Sequence, residues 1–175
     1  MLLGYLLLVL CVFIDQITKI IVTSTMVLNE QITFIPHIMN FHFTYNTGAA
    51  WSILSDHRVL LAIISVIASV FLCYLIKDFN MKKHPLYSIS IVLVAAGAIG
   101  NLIDRVFRAK GVVDFLEFDF IEFPIFNIAD TFLTIGVVLL AIYILFKSKD
   151  GTLPFMKKKE KKTETVEPQV EEHGE

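Results

Sequence analysis

The sequence predicts an all-α integral membrane protein: four transmembrane helices, with a few short strands and a short interfacial helix outside the bilayer. Two observations predict this class. The 175 residues are 55% hydrophobic, above the roughly 45–50% apolar usage of soluble domains, and the mean hydropathy is +0.69. The apolar residues also form four runs, each close to the roughly 20 residues that a helix needs to cross the hydrocarbon core: 2–22, 58–76, 86–103 and 127–146.

Charge is placed unevenly along the chain. The net charge of -2 argues against a nucleic-acid-binding protein, which needs a basic face. Residues after Lys147 are rich in Lys and Glu and have little apolar surface to bury, so we expect disorder there. The predicted organisation is one four-helix transmembrane domain over 1–149 and a disordered, charged cytoplasmic tail over 150–175.

A cleaved signal peptide is the rival interpretation of the first run, 2–22. It is disfavoured because no basic residue precedes the run and no small-x-small cleavage motif follows it. Asp15, Thr18 and Lys19 lie on one face of the predicted helix. Either Asp15 and Lys19 form an ion pair that merely tolerates burial, or they serve a function, as ionisable groups inside membranes generally do.

The segment 23–57 contains no Lys or Arg and predicts structure at the membrane surface. Apolar and polar residues partly alternate over 32–45, which predicts one or two short strands interrupted by Pro36. Residues 49–55 fit a short helix lying flat, with Trp51 at the interface.

The cysteines and histidines give no metal or disulfide signal. Cys11 and Cys73 lie inside apolar runs, which indicates core packing. His37, His42 and His57 lack the spacing of metal ligands. We therefore expect no metal site and no cofactor.

The second and third runs differ in polarity. The second contains no ionisable residue and is assigned to packing alone. The third ends in small residues, including Gly97 and Gly100, which let helices approach closely; packing is the favoured role of Gly100. Its last turns place five residues on one broad face: Gly97, Asn101, Asp104, Arg105 and Arg108. Asp104 and Arg108 have the spacing of a simple i, i+4 ion pair.

Residues 112–123 alternate in part between apolar and acidic types, which predicts a strand or hairpin on the bilayer surface. At the start of the fourth run, Asn127, Asp130, Thr131 and Thr134 share one face. A structural alternative explains two of them: Asn127 is a good N-cap, and Asp130 in the first turn suits the helix dipole.

The distribution of lysine predicts the orientation. The loop at 77–85 and the tail carry clustered Lys, whereas 23–57 carries none, so the positive-inside rule places both termini in the cytoplasm. Three basic residues of the third loop weaken this signal without reversing it: Arg105, Arg108 and Lys110. The polar ends of runs one, three and four then meet at one depth near the extracytoplasmic surface, with Asp114 close by.

Two carboxylates at that depth predict acid–base chemistry. Aspartates within hydrogen-bond reach keep one proton between them. The ionised partner can take a proton from water while the protonated one polarises a carbonyl, as in aspartic proteases. We expect Asp114 and Asp130 to activate a water, with Asn101 and Asn127 orienting them or holding a substrate backbone. Spacing alone leaves open a small transporter or channel with a proton relay and a membrane scaffold.

Five motifs along residues 2–147 carry a family resemblance. They are DQITK (15–19), NTGAA (46–50), GAIGNLIDR (97–105), VVDF (112–115) and FNIAD (126–130). In this order they resemble the lipoprotein signal peptidase (signal peptidase II) family. Trp51 stands where that family often has Phe.

The resemblance implies a multi-pass aspartic endopeptidase of the bacterial cell membrane, inhibited by globomycin. It would remove the signal peptide from diacylglyceryl-modified prolipoproteins, cutting N-terminal to the lipidated Cys, and a small extracytoplasmic β-cradle would hold the substrate. Its partners would be that substrate and membrane lipids, with no nucleic acid, and we expect a monomer.

The resemblance also implies roles for individual residues. Asp114 and Asp130 match the catalytic pair of the family. Nine further positions match substrate-binding or supporting residues: Asp15, Lys19, Asn46, Gly48, Asn101, Asp104, Arg105, Asn127 and Ala129.

Overall fold

The computed structural model describes residues 1–48, 58–147, 153, 154 and 156. Within them, four long helices accompany a three-stranded sheet. The elements are α1 (Leu2–Thr25), β1 (Gln31–Ile35), β2 (Met39–Asn46), α2 (Arg58–Leu75), α3 (Pro85–Phe107), β3 (Val112–Phe118) and α4 (Ile128–Ile142). A 3-10 turn, Ile76–Asp78, follows α2, and a π-helical turn, Tyr143–Lys147, follows α4.

All four helices are long and apolar enough to cross a membrane, over the spans Leu2–Thr25, Val59–Asp78, Pro85–Phe107 and Ile128–Phe146. Leu2, Val59 and Leu145 are each 74% exposed, and exposed apolar surface of this extent suits lipid and not water. The central helix is α3, because 56% of its most apolar window is buried, against 22% or less in the other three.

Local sequence explains where two of the helices begin. Pro85 occupies the first turn of α3, where its missing N–H costs no hydrogen bond. Asn127 is the N-cap of α4, as predicted, and accepts from the backbone N–H of Asp130 at 3.0 Å. The Asp130 carboxylate accepts from the backbone N–H of Asn127 at 3.1 Å, which completes a capping box.

The sheet is antiparallel, in the order β1-β2-β3. Its apolar face packs on the end of α1, where Val22 and Met26 contact a cluster containing Phe43, Val113 and Phe115. Because side chains alternate along a strand, Asp114 lies on the opposite face, opposite Thr44 in the register.

The predicted four helices and short strands are confirmed, with different boundaries. The third helix runs past residue 103 to Phe107, because the charge of Asp104 is compensated inside the protein by Lys19. The helix predicted over 49–55, with Trp51, lies outside the described residues, as do His57 and nearly all of the tail.

The strand or hairpin predicted through residue 123 is wrong in extent, because β3 ends at Phe118. The chain then turns and returns by one bridge between Leu116 and Phe126. Aromatic packing accounts for the turn, since the ring of Phe118 lies 5.7 Å from that of Phe123 and 5.1 Å from that of Phe126.

Candidate active site

Polar side chains from α1, α3, β3 and α4 converge in one cluster, as the topology predicts. Six of them are at most 6% exposed: Asp15, Lys19, Asn101, Asp104, Asp114 and Asn127. Buried polar groups are costly unless they bind one another. The hydrogen bonds among them therefore define the geometry of the site.

Asp114 of β3 and Asp130 of α4 line the same cavity, whose volume is about 400 Å³. Four of the other predicted site residues also line it: Asn46, Gly48, Asn101 and Arg105. The rest of its wall is mostly apolar and comes from β3, the segment 123–126 and α4. The two aspartates thus face one common space from separate elements.

Two asparagine amides connect the aspartates. Asn127 donates from Nδ2 to Oδ1 of Asp114 at 2.6 Å and to Oδ1 of Asn101 at 3.1 Å. Asn101 donates from Nδ2 to Oδ1 of Asp130 at 2.7 Å. Because each amide oxygen and nitrogen has a fixed partner, the carboxylates are held in a defined relative orientation.

Each aspartate also has a second donor. Asn46 donates from Nδ2 to Oδ2 of Asp114 at 3.0 Å. The amide of Asn46 is itself oriented, because its Oδ1 accepts from the backbone N–H of Gly48 at 2.9 Å. This explains the Asn-x-Gly motif: Asn46 provides the donor, and the turn at Gly48 fixes its direction. The second donor to Asp130 is the backbone N–H of Asn127, in the capping box of α4.

The environment raises the pKa of Asp114 to about 7. Burial is the largest cause, and the nearby charge of Asp130 adds to it. Hydrogen bonds from Asn46 and Asn127 and the charge of Lys19 act in the opposite direction. Asp114 therefore gains or loses its proton near neutral pH, as an acid–base group should.

A buried ion-pair network lies beside this cavity. Lys19 pairs with Asp15 at 3.0 Å and with Asp104 at 3.0 Å, and Asp104 pairs with Arg108 at 2.9 Å as its spacing predicts. Ala129 is connected to this network through its backbone, whose N–H donates to Oδ1 of Asp15 at 2.9 Å.

Three residues make contacts that were not predicted from the sequence: Gln16, Ser65 and Val113. Gln16 donates from Nε2 to Asp15 at 3.0 Å and to the carbonyl of Gly100 at 3.1 Å. Gln16 belongs to the motif DQITK, but its spacing from other polar residues does not predict these contacts. Ser65 of the second run, which was assigned to packing alone, accepts from Arg105 at 3.4 Å. Val113 donates its backbone N–H to Asp104 at 3.2 Å.

Gly100 has the packing role that was favoured for it. A Cβ there would lie 2.5 Å from Oδ2 of Asp15 and 3.0 Å from Cβ of Ala129. The absence of a side chain therefore lets α1 and α4 approach α3 at the level of the aspartates.

Known proteins are similar to this chain in sequence and in fold. The family model for signal peptidase (SPase) II matches residues 7–146. The lipoprotein signal peptidase of Enterococcus faecalis is 44% identical over 140 residues, covering 80% of this chain and 86% of its own length. That of Lactobacillus johnsonii is 40% identical over 141 residues, covering 80% and 90%.

Two solved structures are similar to this chain in fold. Each is titled as a bacterial membrane enzyme determined by the in meso method. One, at 1.9 Å, is 41% identical with a TM-score of 0.72 over 83% of this chain and 94% of its own. The other, at 2.3 Å, is 36% identical with a TM-score of 0.71 over 96% and 94%.

The chain belongs to the signal peptidase II family. It is accordingly a peptidase and a multi-pass membrane protein, and membership supports the cleavage of lipoprotein signal peptides. This favours the hydrolytic interpretation of the polar cluster over the transporter and the scaffold. In this signal peptidase II chain six of the predicted site residues line the cavity and four lie in the buried network beside it. Asn127 joins Asp114 to Asn101. Their individual roles stay predictions.

Proposed function

We propose that this chain is an aspartic endopeptidase of the bacterial cell membrane that cleaves diacylglyceryl-modified prolipoproteins N-terminal to the lipidated Cys. One observation carries the proposal: Asp114 and Asp130 reach one cavity from β3 and α4 and are joined there by the amides of Asn127 and Asn101.

The pair works with one proton. The ionised carboxylate accepts a proton from a water molecule while the protonated one donates to the oxygen of the scissile carbonyl. The water oxygen bonds to the carbonyl carbon and gives a tetrahedral intermediate. As the C–N bond breaks, the aspartate that took the proton from water donates it to the leaving nitrogen. A hydroxyl of the intermediate gives a proton to the other aspartate, so the pair is again singly protonated.

The walls of the site suit a substrate that is half lipid and half polypeptide. The cavity of the aspartates continues between apolar side chains, among them Phe123, Leu133 and Ile135, which fits acyl chains and the apolar signal peptide. A second, more open cavity of about 750 Å³ shares Asp114 and is also lined by Thr44 of β2 and Glu117 of β3. The mature part of the substrate leaves through it, and the sheet serves as the cradle.

The site lies near the extracytoplasmic surface, and both termini lie in the cytoplasm. The opposite end of the helices carries Lys77, Lys82 and Lys83, which the positive-inside rule assigns to the cytoplasm. A scissile bond at the outer interface is within reach of water, whereas one at the bilayer centre is not.

Replacing either aspartate by asparagine tests the proposal. Asp114→Asn and Asp130→Asn keep the shape of the site but remove the titrating group, so we expect each to lower cleavage of a diacylglyceryl prepeptide by ~100-fold or more. Cleavage is read as a gel shift, with and without globomycin, at equal amounts of membrane-inserted protein.

Asp119→Asn is the matched control, because Asp119 is an exposed aspartate one residue after β3. It should cleave at the normal rate. Normal turnover by either variant of the pair would refute the aspartic mechanism.

A further inference from the structure

Each aspartate of the pair follows a residue whose backbone N–H is bound by a buried carboxylate. The N–H of Ala129, one residue before the α4 aspartate, donates to Oδ1 of Asp15 at 2.9 Å. The N–H of Val113, one residue before the β3 aspartate, donates to Oδ2 of Asp104 at 3.2 Å. Asp15 and Asp104 are both 0% exposed. The backbones of α4 and β3 are therefore anchored right beside the two side chains that must meet.

One ammonium group joins those two carboxylates. Nζ of Lys19 lies 3.0 Å from Oδ2 of Asp15 and 3.0 Å from Oδ2 of Asp104, and it donates to Oδ1 of Asn101 at 3.1 Å. Three partners occupy the three donors of a lysine ammonium, and Lys19 is 0% exposed. Asn101 in turn donates to Asp130 at 2.7 Å, so the third contact also leads to the pair.

We propose that Lys19 is a positioning residue that sets the separation and relative orientation of Asp114 and Asp130 without touching the substrate. This role rests on the proposed function, because it supposes that the two aspartates cleave a peptide together. Without the ammonium, two buried carboxylates would lose their shared counter-charge and repel each other. The backbones of β3 and α4 would move with them, and a misplacement of ~1 Å can cost ~100-fold in rate.

The other groups on these carboxylates do not substitute for the ammonium. Gln16 donates to Asp15 at 3.0 Å and to Asp104 at 3.5 Å, but it is neutral. Arg108 carries a charge and binds the other oxygen of Asp104 at 2.9 Å, with 25% of its side chain exposed. Arg108 is thus a matched control: a cation on the same carboxylate, at a different oxygen.

The test uses the full-length enzyme in detergent micelles and a synthetic diacylglyceryl lipopeptide. Lys19→Met keeps the length of the side chain without its charge. Lys19→Arg keeps the charge, but a planar guanidinium cannot place one nitrogen among three acceptors. We expect both variants to lower kcat by ~100-fold or more, with KM within ~3-fold. Arg108→Met should keep kcat within ~3-fold, because the contacts of Lys19 remain.

The pH–rate profile separates the charge of Lys19 from its position. The charged groups around Asp114 are Asp130 from α4, Lys19 from α1 and Arg105 from α3. In Lys19→Met, an attraction that lowers the pKa of Asp114 is lost, so we expect the alkaline limb of the profile to move to higher pH. Lys19→Arg keeps the charge, so its profile should stay in place while its kcat falls. A lysine with a purely structural role would change the amount of folded enzyme and leave kcat per folded molecule unchanged in both variants.

Wild-type kcat in either folded Lys19 variant overturns this inference, as does an equal loss of kcat in Arg108→Met. Failure of both Lys19 variants to accumulate as folded protein also overturns it, since Lys19 is then a structural residue. If the wild-type enzyme leaves the lipopeptide uncut, or Asp130→Asn cuts it, the proposed function itself fails. That result is distinct from any behaviour of Lys19.

Discussion

Asp114 combines strong desolvation with good hydrogen bonding. It is only 2% exposed, yet both of its oxygens accept from amide nitrogens, one of Asn46 and one of Asn127. Burial and the charge of Asp130 outweigh these bonds and hold the pKa of Asp114 at about 7. The second ionisation of the aspartate pair therefore falls near neutrality, where a small change of pH changes the state of the site.

The first prediction concerns the rate. If the singly protonated pair is the active form, kcat/KM falls as pH rises through about 7, because Asp114 then loses the shared proton. Initial rates of lipopeptide cleavage, measured from about pH 5 to about pH 9, check this. A rate that stays level to the alkaline end of that range would contradict it.

The same shift affects stability. The folded-state pKa of Asp114, about 7, lies above its ordinary 3.8, so its contribution to stability is complete below about pH 4 and is lost as pH rises through about 7. Asp114→Asn avoids that loss. We expect the variant to gain stability relative to wild type as pH rises, by up to about 1.4 kcal/mol for each pH unit between the two values.

Thermal unfolding in detergent at several pH values measures this gain. Asp119→Asn, which removes an exposed carboxylate one residue beyond β3, is measured in the same way as the matched control. A constant difference between Asp114→Asn and wild type at every pH would contradict the assigned pKa.

The start of α4 combines a helix cap with contacts to the candidate aspartate pair, and Asn127 contributes to each through different atoms. Its Oδ1 caps the helix at the N–H of Asp130, and its Nδ2 donates to Asp114 and Asn101. The alternative weighed from the sequence, a simple N-cap, is therefore present but does not account for the amide nitrogen. An asparagine is the residue that can supply both atoms.

Two substitutions separate these roles. Asn127→Ser keeps a good cap but removes the donor to Asp114, whereas Asn127→Ala removes both. We expect cleavage to fall by ~10-fold or more in each, and the alanine variant to be about 1 kcal/mol less stable than the serine variant. Steady-state cleavage and thermal unfolding are measured on the same preparations. Normal cleavage by Asn127→Ser would show that Asn127 acts only as a helix cap.

The helices and strands were predictable because their signals are local. A run of about 20 apolar residues specifies a spanning helix, and Pro36 marks the break between β1 and β2. Pairing between distant elements has no such signal. Nothing in the sequence states that Asp15 binds the N–H of Ala129, 114 residues away. The polar residues could be placed at one depth, but their bonds could not be assigned.

Across the whole molecule, the bilayer explains why so many charges share one small region. Asp15 and Asp104 carry two negative charges, and Lys19 and Arg108 carry two positive ones, so this network is balanced within itself. Removing one of the three fully buried partners, Asp15, Lys19 or Asp104, costs roughly 3–5 kcal/mol. The pair with Arg108, whose side chain is 25% exposed, is worth less. Compensation inside the protein lets α3 keep polar residues in its last turns and still span.

The shape of the surface segments was harder to predict than the topology. Residues 112–123 alternate in part, which favours a longer strand, but packing among Phe118, Phe120 and Phe123 accompanies a turn of the chain after Phe118. Phe118 and the segment 123–126 then line the cavity together with residues of α4. Ring contacts between residues several positions apart are not visible in a period-two pattern.

The remaining prediction is the orientation of the whole molecule. Four spans place the two termini on one side, and the turn with Lys82 lies at the end of the helices away from the aspartates. In a background of Cys11→Ala and Cys73→Ala, we introduce Lys82→Cys or Ile121→Cys, both at exposed positions. A membrane-impermeant maleimide added to intact cells should label Ile121→Cys, and Lys82→Cys should react only after the cells are opened. The reverse pattern would put the aspartates on the cytoplasmic side, away from exported prolipoproteins, and would remove the basis for their cleavage by this enzyme.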